Sequence, residues 1–113
     1  MLLTGLTVTF LKEFGFGLWL SSPLWLSLAA AITLLGQVAG KIEGWPRFDS
    51  FYWSFVTATT VGYGDIRPVT RTSKIVAIVI ALLGLTLTGT LIAVGVHAAS
   101  FALAAHDAAA KVR

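Results

Sequence analysis

The sequence predicts an all-α integral membrane protein, and three observations carry that expectation. Of its 113 residues 57% are hydrophobic and only 12% are Asp, Glu, Lys or Arg, about half the roughly 25% charged share of an ordinary globular domain. Two stretches, Phe14–Gly40 and Ile75–His106, contain none of those four residues. Each exceeds the about 20 apolar residues that a helix needs to cross a hydrocarbon core of about 30 Å. Between them lies a third apolar stretch, too short to cross. A chain this small has a large surface for its volume and too little charge to cover it in water, while its hydrophobicity is too high for a disordered chain. The length supports one domain. With no Cys in the chain, disulfides, thiolate metal sites and iron–sulfur clusters are excluded. The net charge of +3 is scattered rather than gathered into a basic face, so no phosphate backbone has a seat and a nucleic-acid partner is excluded.

Residues 1–21 form an N-terminal interfacial segment. Leu6, Phe10, Phe14 and Leu18 recur every four residues, which gives either a helix lying on the membrane surface or, given the β-branched Thr7-Val8-Thr9, a partly ordered tail. No basic residues precede the apolar run, so it is not read as a signal peptide. Ser22-Pro23 offers a cap followed by a proline in the first turn, where a missing N–H costs nothing. The outer helix is placed over 23–42, and Gly36 and Gly40 mark it for close helix packing. The turn-rich GWPR of residues 44–47 ends it.

A short helix is expected over 49–59, with Asp49 as its N-cap and a length of roughly 15 Å. An apolar helix of half a bilayer between two full spans reads as re-entrant. The following Thr60-Val61-Gly62-Tyr63-Gly64-Asp65 cannot comfortably continue it, because two glycines at alternate positions disfavour a helix. Irregular backbone at membrane depth survives only where protein buries it or where it lines a watery cavity. Two spans cannot enclose a cavity, so several chains must surround a polar axis, with residues 60–64 facing it. After Thr72-Ser73, a plausible cap, the inner helix is placed over 73–97. An Ala-rich, cytoplasmic helical tail is placed over 98–113.

The run TTVGYGD, Thr59–Asp65, resembles the signature of the potassium channel pore family, and Tyr52–Thr70 resembles the pore helix, filter and outer mouth of its prokaryotic two-helix members. The resemblance implies two transmembrane helices flanking a re-entrant pore helix and selectivity filter, assembled as a homotetramer in the lipid bilayer of a prokaryotic cell membrane. The permeant ion is K+, and both termini are cytoplasmic. Backbone oxygens of Thr60, Val61, Gly62 and Tyr63, with the Thr60 hydroxyl, would form stacked sites for dehydrated K+, and Gly64 would complete the filter backbone. Carbonyls can all point one way when left- and right-handed conformations alternate, and glycine visits the left-handed region without penalty. Tyr63 would turn away from the axis and pack on the pore helix. Trp53 would hydrogen-bond Asp65 behind the filter. Val56 stands where several bacterial relatives carry a Glu. Gly84 falls at the hinge-like position of the inner helix, and Leu85, Thr88, Ile92 and Val96 would line the route below the filter, the last two as candidate gates.

Two alternatives accompany potassium-selective conduction: a weakly selective cation channel, and an oligomeric membrane scaffold that does not conduct. No catalytic constellation or phosphate loop is present, so an enzyme is not expected. His97 is an interfacial residue with a possible pH-gating role, and a regulatory domain or subunit outside this chain is allowed for. Lys41, Arg47, Arg67, Arg71 and Lys74 lie between the spans, against Lys12, Lys111 and Arg113 at the ends. Taken alone, that count places the loop in the cytoplasm; the resemblance places it outside.

Overall fold

A computed structural model describes residues 2–112. They form four helices: α1 (Leu2–Leu20), α2 (Ser22–Glu43), α3 (Arg47–Ala58) and α4 (Arg71–Val112). No strand occurs among the described residues. Two of the helices, α2 and α4, are long and apolar enough to cross a membrane. The chain divides into two compact units, Leu24–Thr88 and a second made of the residues up to Pro23 with those from Gly89 onward.

In the first unit, α2 and α4 flank the 12-residue α3, which is about 18 Å long. The core is Ile32 and Ala39 of α2, Trp53 and Ala58 of α3, and Ile80 and Leu87 of α4. Small residues let α3 come close. A Cβ on Gly36 would stand 2.9 Å from Ser54 Oγ and 3.0 Å from the Ser50 carbonyl, and one on Gly40 would collide with the Ser50 hydroxyl. The Gly36/Gly40 pair thus seats α3 within the chain. Lipid tails give helices no reason to associate through hydrophobicity, so such tight van der Waals contact is the main attraction available. Gln37 Nε2 adds a hydrogen bond to the Arg47 carbonyl at 3.0 Å.

The helix ends differ from expectation in informative ways. α2 ends in a Schellman-type cap: Gly44 is left-handed at φ 79°, and the Trp45 N–H reaches the Gly40 carbonyl at 2.9 Å. α3 begins after Pro46 rather than at Asp49, because Pro46 already holds an extended conformation (φ −60°, ψ 156°) and its carbonyl accepts the Ser50 N–H. Asp49 therefore sits in the first turn, where its charge still suits the positive helix end. The α4 cap is Thr70, not Thr72-Ser73: its Oγ1 accepts the Ser73 N–H at 3.3 Å, three residues on, as a capping side chain does.

Residues 71–112 form one unbroken helix of 42 residues, about 63 Å long, so the Ala-rich tail runs on from the inner helix. That is about twice the hydrocarbon thickness, so the helix extends well beyond it. In the second unit α1 is helical throughout. Its Leu6 and Phe10 line a groove with Ala99, Ala102 and Leu103 of α4, and Phe14, stacked on Phe10 at 5.6 Å, lies over Gly95. Leu6, Phe10 and Phe14 of the four-residue stripe are turned onto α4, whose small residues open a slot for the rings. Leu3, Val8, Leu11, Phe16, Trp19 and Leu20 are the large apolar residues of α1 left exposed.

Candidate functional site

The site is the stretch between α3 and α4, residues 59–70. α3 stops because its last carbonyls are taken by the chain turning back on them. Thr59 N–H bonds the Phe55 carbonyl, Thr60 N–H the Thr57 carbonyl at 3.1 Å, and both Val61 and Gly62 N–H groups the Val56 carbonyl at 3.1 and 3.3 Å. The donors of this turn are thus spent on the end of the helix. Among the described residues, none of the carbonyls from Thr60 to Gly64 accepts a hydrogen bond within the chain.

The backbone conformation alternates. Thr60, Gly62 and Gly64 have φ of 65°, 56° and 80°, and Val61 and Tyr63 between them are not left-handed. Glycine does this freely; at Thr60 a β-branched residue holds a conformation that costs about 1–3 kcal/mol, and its neighbours must over-determine it. The Thr60 hydroxyl donates to the Thr59 carbonyl at 2.6 Å, which leaves its oxygen lone pairs available. Val61 and Tyr63 are 51% and 70% exposed in the single chain.

Behind the stretch is a cavity of about 200 Å³ bounded by Trp53, Val56, Thr57, Gly62, Asp65 and Ala77, among others. Trp53 and Asp65 both line it, and the Asp65 carboxylate also acts on the Tyr52 phenol. Hydrogen bonding to that carboxylate, then burial, then its negative charge hold the Tyr52 phenol above its usual pKa of 10.0. Trp53 is buried and stacks at a tilt on Trp45, centroids 5.1 Å apart. Neighbouring positions on a helix point about 100° apart, so one of the two faces the core and the other the carboxylate. Tyr52, which the sequence reading did not single out, thus joins Trp53 as a neighbour of Asp65.

A contact missed in the sequence closes the far end. Glu43 Oε1 accepts the Val69 N–H at 2.7 Å, the Thr70 N–H at 2.9 Å and the Thr70 hydroxyl at 3.1 Å. It joins the end of α2 to the start of α4, so the stretch is anchored at both ends. The available signal was an acid in the last turn of a helix, where the dipole disfavours it unless another helix start uses it.

Gly84 is buried, and a Cβ there would overlap the backbone of Ala58 at the end of α3. α4 runs through it unbroken, so close approach by itself accounts for a glycine here. Gly89 faces open space. Leu85, Ile92 and Val96 are 57%, 61% and 60% exposed and Thr88 is half-buried. No group of His, Asp or Glu able to hold a metal ion occurs among the described residues.

A family model described as ion channel matches residues 20–100, which includes α2, α3, the whole stretch and most of α4. The chain belongs to this ion channel family. Proteins similar to it include potassium channels. A TWiK family potassium channel protein 7 of Caenorhabditis elegans is 41% identical over 69 residues, 58% of this chain and 12% of that protein. A human potassium channel subfamily K member 2 is 39% identical over 67 residues, 59% of this chain and 16% of its own length. A voltage-gated potassium channel of Aeropyrum pernix is 49% identical over 39 residues, 34% of this chain and 13% of its own length. The channel chain thus spans well under a fifth of the relatives it matches. No solved structure matches it significantly.

Proposed function

We propose that the chain is the pore subunit of a potassium-selective channel, conducting K+ passively through the Thr60–Gly64 backbone. The supporting observation is the alternation of left-handed conformations at Thr60, Gly62 and Gly64 immediately after a half-length helix. Unpaired carbonyl oxygens on one side of such a strand are hard ligands held at fixed spacing. Converging from several chains, they replace the water shell of a monovalent cation. Four chains around one axis supply the enclosure that one chain lacks, and neighbouring chains cover Val61 and Tyr63. The carboxyl end of each α3 carries about half an elementary negative charge, which favours a cation waiting below the filter. Trp53 and Asp65 support the filter from behind, with Tyr52 as the direct partner of the carboxylate. Leu85, Thr88, Ile92 and Val96 line the route on α4, with Gly84 as the point where that helix can bend. The subunit sits in a prokaryotic cytoplasmic membrane with both termini on the cytoplasmic side.

The test is reconstitution into liposomes with a K+ gradient. Potassium flux well above sodium flux, blocked by barium and abolished by Gly62→Ala, is expected. Equal fluxes of the two ions favour the weakly selective alternative, and assembly without any flux favours the scaffold.

A further inference from the structure

The contact of α1 with the C-terminal half of α4 takes no part in coordinating an ion, yet it is closely fitted. The two helices run antiparallel: Gly17 lies against Val94, Phe14 against Gly95, and Phe10 and Leu6 against Ala99, Ala102 and Leu103. As the numbers fall along α1 they rise along α4. Ala98 and Ala102 are 0% and 2% exposed, the two buried hydrophobic residues of this unit among those described. Small size matters on both helices. A Cβ on Gly17 would stand 2.7 Å from Val94 Cγ1, and the Phe14 ring comes within 3.5 Å of where a Gly95 Cβ would be. Ile92 and Val96 belong to the same turns of α4 but stay 61% and 60% exposed. α1 therefore grips one face of that segment and leaves the candidate gate face open.

We infer that α1 is a brace on the gate. Its grip on Val94–Ala102 sets where Ile92 and Val96 stand, so conduction follows whether α1 holds α4 or lets it move. The physical basis is that helices packed through glycine and alanine have few intermediate arrangements: once ring and slot separate, the contact is lost rather than stretched. The inference rests on the pore reading above, because Ile92 and Val96 are gates only if the chain conducts.

The chain has no Cys of its own, so a single engineered pair tests the brace. From a Cβ on Gly17 to Val94 Cβ is 3.9 Å, within the about 3.5–4.5 Å of a disulfide. The full chain carrying G17C and V94C is placed in liposomes, treated with copper–phenanthroline as oxidant, and then reduced in the same vesicles. The expected result is a bridge within one chain and a change in K+ flux of at least about fivefold, the lower end of coupling between sites, reversed by reductant. Phe14→Ala, which loosens the contact without a bridge, is expected to change flux as well. A bridge that forms and leaves flux unaltered overturns the brace while the pore reading stands, as does a bridge that never forms under oxidation. An unmodified chain that carries no K+ overturns both.

Discussion

Glu43 ends α2 with a negative charge at the pole of the helix least suited to one. What makes it tolerable is the start of α4, whose Val69 and Thr70 N–H groups and Thr70 hydroxyl all bond one carboxylate oxygen. Glu43→Ala is expected to lower the thermal midpoint of the detergent-solubilised protein by several degrees, with Glu43→Gln intermediate because an amide oxygen still accepts but carries no charge. The pair formed by Tyr52 and Asp65 makes a second residue-scale prediction. Tyr52→Phe removes the hydroxyl alone, so sustained K+ current should decay faster while folding is little changed. Trp53→Phe, by contrast, thins a buried ring contact with Trp45, and should lower thermal stability more than it alters current decay. A recording in which Trp53→Phe speeds decay and Tyr52→Phe does not would return the role to the indole. Because its pKa is held above 10.0, the Tyr52 phenol stays protonated across the physiological range, and the decay should not vary with pH there on its account.

Among the elements, α3 is the one whose position decides the site, and glycine sets that position from both sides. Gly36 and Gly40 of α2 take Ser54 and Ser50, while Gly84 of α4 takes the backbone of Ala58. Gly40→Val puts a side chain where the Ser50 hydroxyl lies and is expected to cost about 1–3 kcal/mol, the usual range for overpacking. Combining it with Ser50→Gly should recover part of that, as read by thermal unfolding and by the yield of assembled protein. The start of α3 was legible only approximately. The aromatic run and the turn before it mark a short helix, but the choice between Asp49 and Pro46 as its boundary depended on where the Pro46 carbonyl found its donor. The sequence after His97 continues α4 because it is Ala-rich, with high helix propensity, and no glycine or proline stops it.

For the whole molecule, the exposed apolar surface of a single chain is the main datum. Ile75, Ile78, Leu82, Leu85, Ile92 and Val96 of α4 are all 55–61% exposed, an amount that calls for lipid or neighbouring chains. On the proposed pore reading, four copies around residues 60–64 would cover this surface and use the unpaired carbonyls. Chemical cross-linking or native mass spectrometry in detergent should find four copies, and a dimer would leave the strands without an enclosing ring. The clustering of Lys41, Arg47, Arg67, Arg71 and Lys74 between the spans makes topology the other test at this scale. A tag after residue 113 is expected to be protected on the cytoplasmic side, against the simple count of positive charges.

By itself the sequence determined the membrane class, the two spanning helices and the position of the irregular stretch. These follow from charge-free length and from glycine spacing, which are properties of the chain read in order. Only the tertiary structure decided that Tyr52 comes up to Asp65, that Glu43 holds the start of α4, and that α1 packs along α4. Each depends on which side chain faces which across distant positions, and a one-residue change of helical phase, invisible in a periodic pattern, turns a side chain by about 100°.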